Sequence, residues 1–238
     1  MNKRRVGMPL VSAVIVFGIL PGSGISRLGD TLNVSCTVEA TGNGLTPRKV
    51  TSPILLSPDK AKRAYTEVAA NVALGNCANN SRLFLQSPST GNRYSLVFLQ
   101  EPTELQRGNG IRIIDWSPNG HLLLFEVIVW QYGSDARPGK DIFVYDSKAG
   151  VLFPVPVQNF AKQFGEGCVV DIDPLGFSSE NRAILRVTAR QEYDEESHPV
   201  QQACRGEAGL WLYDSTTYKV QALRDPVRIQ HWGRRTAN

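Results

Sequence analysis

Ile113-Ile114-Asp115-Trp116-Ser117-Pro118-Asn119-Gly120 runs into Leu122 to Trp130, and the reading of this stretch decides the fold. An apolar strand enters a tight turn, in which Pro fixes φ and Asn-Gly tolerates positive φ. Leu122 to Trp130 is apolar at nearly every position, the pattern of a strand buried on both faces. Gly133 to Lys140 is a polar loop, and Asp141-Ile142-Phe143-Val144-Tyr145-Asp146 is a third strand. Ser147-Lys148-Ala149-Gly150 turns the chain into a fourth, Val151 to Val157. Four antiparallel strands on short turns make a meander.

The same order recurs on both sides. Upstream, Ile54-Leu55-Leu56-Ser57-Pro58-Asp59 matches the first strand and turn, Leu83 to Gln86 the third strand and Tyr94 to Leu99 the fourth. Downstream, Val169-Val170-Asp171-Ile172-Asp173-Pro174 opens the unit. Ala183 to Val187, Leu210 to Asp214 and Tyr218 to Leu223 then follow as its remaining strands. Pro58 to Pro118 is 60 residues and Pro118 to Pro174 is 56. A fixed order at a near-fixed period marks a repeat architecture. The expected units are about 48–100, 111–157 and 167–223, with an insertion around Glu192 to Cys204 in the last. Arg228 to Trp232 parallels Arg112 to Trp116 and predicts a partial fourth strand over 227–232. Leu32, Val34, Cys36 and Val38 alternate like a further strand, able to pair with the tail or with an outer repeat.

Trp116-Ser117-Pro118-Asn119-Gly120-His121-Leu122, with Asp141-Ile142-Phe143-Val144-Tyr145-Asp146 behind it, resembles the TolB/WD40-like β-propeller repeat. In the first copy Ser57-Pro58-Asp59 lacks the Trp and the Gly; in the third, Asp173-Pro174 replaces Ser-Pro and the glycine arrives as Gly176. The resemblance implies a propeller scaffold that binds partners or polymers, and no single reaction. Three copies fall short of the usual ring of four to eight blades. The expected fold is therefore all-β, with three blade-like four-stranded antiparallel repeats in an incomplete or open propeller. Self-association to complete a ring and a distorted sandwich are the alternatives.

Met1 to Arg5 is a short basic head, Val6 to Leu20 is uncharged and mostly apolar, and Pro21-Gly22-Ser23-Gly24 supplies small residues. These are the parts of a secretory signal, and the apolar run is short of the roughly 20 residues of a spanning helix. Residues 1–24 are read as a cleaved signal and 25–238 as a single extracytoplasmic domain with no membrane span. Removal of Lys3, Arg4 and Arg5 leaves 23 basic against 22 acidic residues. That balance gives no footprint for nucleic acid, which needs clustered Lys and Arg. Arg224, Arg228, Arg234 and Arg235 read as a solvated basic end.

Catalytic signatures are thin. There is no Gly-x-Ser-x-Gly elbow, Walker loop, dinucleotide fingerprint or His-Glu-x-x-His. His121 reads as an exposed cap, His198 as part of a solvated acidic insertion and His231 as structural. No cofactor or metal is called for. Asp115, Asp171 and Asp173 are candidate channel carboxylates, and Trp116 and Trp232 candidate stacking residues. The favoured reading is a non-enzymatic binding or scaffolding module whose partner is a protein or a polysaccharide. The rival is a secreted hydrolase or lyase acting on glycan or peptide through those carboxylates. Asn33-Val34-Ser35 and Asn79-Asn80-Ser81 are glycosylation sequons.

Cys36, Cys77, Cys168 and Cys204 form an even set without metal-site spacing. In the meander, the start of strand one and the loop between strands two and three lie at the same end. Cys168 and Cys204 hold those two places in the third repeat, Cys36 and Cys77 in the first. The predicted disulfides are Cys36–Cys77 and Cys168–Cys204, each closing a loop of about 40 residues and contributing about 3–4 kcal/mol in the chain-entropy model. Peptide mapping without reduction should return these two linkages; a Cys77–Cys168 peptide would overturn the pairing.

Overall fold

Alternation within Leu122–Trp130 sets the architecture. Leu123, Phe125 and Val127 enter one hydrophobic core, with Leu55, Ala64, Leu83, Leu85, Ile111, Ile113 and Trp116. Leu122 and Leu124 enter a second, with Ile142, Val144, Val170, Ile172, Leu185, Val187 and Tyr213. A strand with a core on each side needs apolar residues at both parities, which is why the segment has so little polar alternation.

The computed structural model describes residues 40–41, 44–45, 49–71, 78–91, 93–131, 138–165, 168–190, 208–224 and 227–236. The signal segment, the orphan strand around Val34, the acidic insertion with His198, and Cys36, Cys77 and Cys204 lie outside the described residues. Cys168 is disulfide-bonded, and the two predicted pairings remain expectations.

A short hairpin, β1 (Ala40–Thr41) with β2 (Gly44–Leu45), precedes the main sheets. The first sheet holds β3 (Lys49–Thr51), β4 (Leu55–Leu56), β5 (Arg63–Ala70), β6 (Asn79–Gln86) and β7 (Ser95–Gln100). The second is a meander of β8 (Gly108–Trp116), β9 (Leu122–Trp130), β10 (Gly139–Asp146) and β11 (Val151–Pro154). Helix α1 (Val157–Phe164) leads to the third, β12 (Val169–Phe177), β13 (Ala183–Arg190), β14 (Gly209–Asp214) and β15 (Lys219–Leu223). All pairings are antiparallel, and none of the three sheets closes on itself. The second sheet lies between the other two, so the fold is the expected set of blade-like sheets in an open array.

Four details depart from the sequence reading. The second strand of the first repeat, β5, was not read at all. The fourth strand of the second repeat stops at Pro154, and the chain then forms α1. Val157, Phe160, Ala161 and Phe164 fall at helical spacing and pack on the second core, with Phe160 and Phe164 against the Trp211 ring. The third turn is not at Asp173-Pro174 but at Ser178. Ser57, Ser117 and Ser178 each receive the backbone N–H of a later residue on Oγ: Lys62 at 2.9 Å, Leu122 at 2.9 Å and Arg182 at 3.2 Å. Three residues after each serine the backbone enters positive φ, at Lys60 (60°), Gly120 (67°) and Asn181 (63°). The period is thus 60 and then 61 residues, and glycine is only one of three occupants of that conformation. Pro174 lies within β12, beside the bulge at Gly176.

The fourth departure is the tail. No strand forms over 227–232; instead β16 (Arg234–Arg235) pairs with β4 of the first sheet. Before it, Trp232 Nε1 donates to Phe177 O of the third sheet at 3.0 Å, much as Trp116 Nε1 donates to Leu55 O at 3.3 Å. Trp232 therefore docks as the first strand of another repeat would, and the chain then crosses to the opposite end of the array. Arg235 is no solvated charge: it is partly buried and donates to Ile113 O at 2.7 Å. A reciprocal amide pair adds a link between the first and second sheets. Asn79 Nδ2 donates to Asn109 O at 2.5 Å, and Asn109 Nδ2 to Asn79 O at 2.7 Å, both side chains buried.

Deleting residues 227–238 removes β16 and the Trp232 dock and leaves Asp115 without its tail donors. Hydrogen bonds to charged groups contribute about 1.5–3 kcal/mol each, so the loss should reach about 3 kcal/mol. Thermal denaturation should show a fall of about 6–12 °C in midpoint; an unchanged midpoint would mean the tail is only an appendage.

Candidate functional site

The five candidate residues separate into two places. Asp115, Trp116 and Trp232 gather where the tail crosses the second sheet. Asp171 and Asp173 lie in a cleft between the second and third sheets.

At the crossing, Asp115, one residue before the end of β8, is 1% exposed. It accepts the N–H of Trp116 at 2.8 Å, of Trp232 at 3.0 Å and of Gly233 at 2.8 Å. A carboxylate only accepts, and four lone-pair sites need donors when water is excluded. Two consecutive tail amides supply them. The packing admits no ligand: a Cβ on Gly233 would sit 3.1 Å from Asp115 Oδ1 and 3.0 Å from Leu55 Cδ1. Trp116 is wholly buried between the first and second sheets, and Trp232 packs against the second core. Trp116 has no open stacking face, whereas Trp232 keeps partial exposure. His231 Nδ1 lies 3.6 Å from Asp115 Oδ2. That contact raises the imidazole pKa above its ordinary value, against burial and the nearby Arg235. His121 is exposed beside its turn, as read.

The cleft has a volume of about 610 Å³, within the range of ligand pockets. Ile128, Ile142, Val157, Val170 and Ile172 form aliphatic walls, and Lys140, Asp171, Asp173 and Arg190 supply charge. Lys140, at the start of β10, reaches across the gap to Asp173 at 2.8 Å. Arg190, at the end of β13, reaches Asp171 through Nε at 3.4 Å. All four side chains are 39–50% exposed. Ion pairs that wet contribute at most about 1 kcal/mol, so they hold little of the fold together and can exchange partners.

A very different pair lies behind the wall. Glu126 stands opposite Arg112 and opposite Ile142 in register, on the face that carries Ile128. Arg112 Nε is 2.7 Å from Glu126 Oε1, and Glu126 is 1% exposed. The approach is off the hydrogen-bond axis, so neither carboxylate oxygen completes a hydrogen bond. Glu126 is the buried member and the Arg112 side chain keeps 27% exposure; removing the arginine would leave a buried charge uncompensated.

Sequence reasoning found Asp171 and Asp173 but not Lys140 or Arg190. The signal was their place at the strand ends nearest the loops, where a charge on an otherwise apolar strand faces a neighbour. Among the described residues no three His, Cys, Asp or Glu side chains are grouped to hold a metal, and no helix is long and apolar enough to cross a membrane.

No protein-family model matches the chain, and no curated protein does. Among solved structures, the AtxE2 isopeptidase in its apo form is similar at a TM-score of 0.41 and 16% identity. That match covers 74% of this chain and 30% of the other, so the chain spans less than a third of the isopeptidase's length.

The folded His231 pKa lies above the unfolded one. Protonated His231 therefore adds stability that is complete below about 6.5 and is lost as pH rises through the raised value. The difference in thermal midpoint between the natural chain and His231→Gln should be largest near about pH 5 and shrink by about pH 8. A difference that grows with pH would remove the histidine from the tail's anchorage.

Proposed function

We propose that this chain is an exported, non-enzymatic binding module of the β-propeller type, taking its ligand in the cleft between the second and third sheets. The single observation that carries the reading is an open, aliphatic-walled cleft ringed by exposed ion pairs, set between two sheets that are otherwise packed together. The resemblance of Trp116 to Asp146 to the TolB/WD40-like repeat supports a scaffold that presents surfaces to partners. The basic head and apolar run at residues 1–20 support a place outside the cytoplasm.

The cleft favours a protein segment over a polysaccharide. Sugars are held by aromatic platforms beside polar groups, whereas these walls are Ile and Val. The hydrolase or lyase reading draws no support from the geometry. Asp115 is sealed under the tail, away from Asp171 and Asp173, and each of the latter faces a cation.

The test is a panel of short peptides and oligosaccharides titrated into the purified chain, followed by methyl resonances of Ile and Val. Peptides should shift Ile128, Ile142, Val157 and Val170 selectively, and Ile128→Arg should weaken them by about tenfold, the value of one lost apolar anchor. Shifts that map elsewhere, or cleavage of a panel member, would overturn the reading.

A further inference from the structure

Independently of the cleft, we infer that the outer side of the first sheet is a second binding site, whose ligand is an acidic oligosaccharide. Its sugar rings lie against Tyr65, Phe84 and Tyr94, and its carboxylate enters a basin at Lys60 and Arg63. Three observations converge on this.

The first is a set of rings that neither core uses. Ala64, Leu83 and Leu85 point toward the second sheet and enter the core between them. Successive side chains of a strand point to opposite faces, so Tyr65 of β5 and Phe84 of β6 stand on the side turned away from the other sheets. Tyr65 is opposite Phe84 in register and Phe84 is opposite Leu96 of β7, which makes one apolar row across three strands. The Tyr65 and Phe84 rings stack at 5.1 Å, and Tyr94 meets Tyr65 edge to face at 4.9 Å. Water reaches this row: Leu96 is 51% exposed, and the three rings are half-buried.

The second is the charge beside the rings. One step along the same side, Arg63 stands opposite Gln86. With Lys60, Ser87 and Gly91 they line a basin of about 210 Å³ that no acid lines. Elsewhere on this side the charges are matched, since Glu67 lies 2.6 Å from Lys49 and 3.1 Å from Arg82. Asp59, next to Lys60, has its Oδ1 engaged by the Ser57 hydroxyl and the Ala61 N–H. Among the described residues neither Lys60 nor Arg63 has an ion-pair partner. Two uncompensated cations in a concavity draw an anion, and the planar fork of Arg63 matches a carboxylate.

The third is what this side offers besides charge. β6 is paired with β5 and with β7, so the backbone beneath the rings is engaged on both flanks. An extended peptide added to a sheet draws its affinity from unpaired main chain, and none is presented here. What is presented is rings beside an amide and two cations, which is how sugars are held. The absence of acids from the basin narrows the sugars to those carrying a carboxylate. Two cations fall short of the clustered charge that nucleic acid needs.

The probes are tetragalacturonate, its methyl ester, a blocked tetraglutamate peptide and decathymidylate. Calorimetry on the purified chain should find tetragalacturonate about tenfold tighter than the ester, the value of one charge-assisted hydrogen bond. Arg63→Gln should close that gap. Tyr94→Ser should weaken acid and ester alike by about fivefold. Neither residue belongs to a core, so both variants keep the fold. Tetraglutamate binding as tightly as tetragalacturonate would show that charge alone is read and overturn the sugar; tighter binding of decathymidylate would assign the face to nucleic acid instead. Ile128→Arg should leave tetragalacturonate unaffected, and a loss there would move the sugar to the cleft and remove this site. Failure of tetragalacturonate to bind also removes it. The cleft reading survives that failure, because its peptides are followed at Ile and Val and none of the residues of this face is either.

Discussion

A carboxylate shut away from water must find its donors within the protein, and Asp115 finds two of them in the backbone of the tail. That requirement organises the molecule. The second sheet provides the acid, the third provides the carbonyl that receives Trp232, and the first provides the edge on which β16 lands. One crossing segment thereby touches all three sheets. An array of sheets stacked in a row has two terminal members with little to hold them in angle. A strap that takes the same three points in a fixed order supplies the missing restraint without a fourth sheet.

The cores on either side of the second sheet are mostly aliphatic, yet polar groups sit at chosen depths. Glu126 is buried beside one core with the partly exposed Arg112 against it, and the Asn79–Asn109 amides are buried beside the other. Farther out, where the second and third sheets diverge, charged residues end the strands and the cleft opens. The progression from sealed pair to wet pair follows the spacing of the sheets. Close packing leaves no room for solvent near the tail, and divergence admits it near Arg190. Function is therefore sought where the sheets part, not along the line where they meet.

Much of this was legible in the residues. In the second repeat the second strand was read to the residue and the third to within two, because Leu122–Trp130 is apolar at both parities and its turn carries Pro-Asn-Gly; the first strand starts earlier and the fourth ends earlier than read. The first repeat hid its second strand because Arg63 to Ala70 mixes charge with small residues and has no long apolar run. The third repeat misled through its proline. Pro174 looked like a turn residue but sits at a bulge, while the real turn, Ser178-Ser179-Glu180-Asn181, carries neither Pro nor Gly. Helix α1 was masked by continuity, since Val151 to Val157 reads as one apolar strand until Phe160 and Phe164 are counted at helical spacing. Of the candidate residues, Asp171 and Asp173 were visible but their cations were not, because Lys140 comes from another sheet 33 residues away and Arg190 from the paired strand β13, and neither pairing leaves a local pattern.

The buried amide of Asn79 bears on how the protein can be made. Asn79-Asn80-Ser81 fits the acceptor pattern for an N-linked sugar, a modification confined to surface positions of folded proteins. A transferase meeting this chain during translocation would see the sequon while it is still extended. Each chain modified there would carry a bulky hydrophilic group on the very nitrogen that must reach Asn109, and the first and second sheets could not come together. Sugar transfer and folding are thus rivals at this one side chain, so secretion from a glycosylating host would divide the product into two pools, one of them unable to mature.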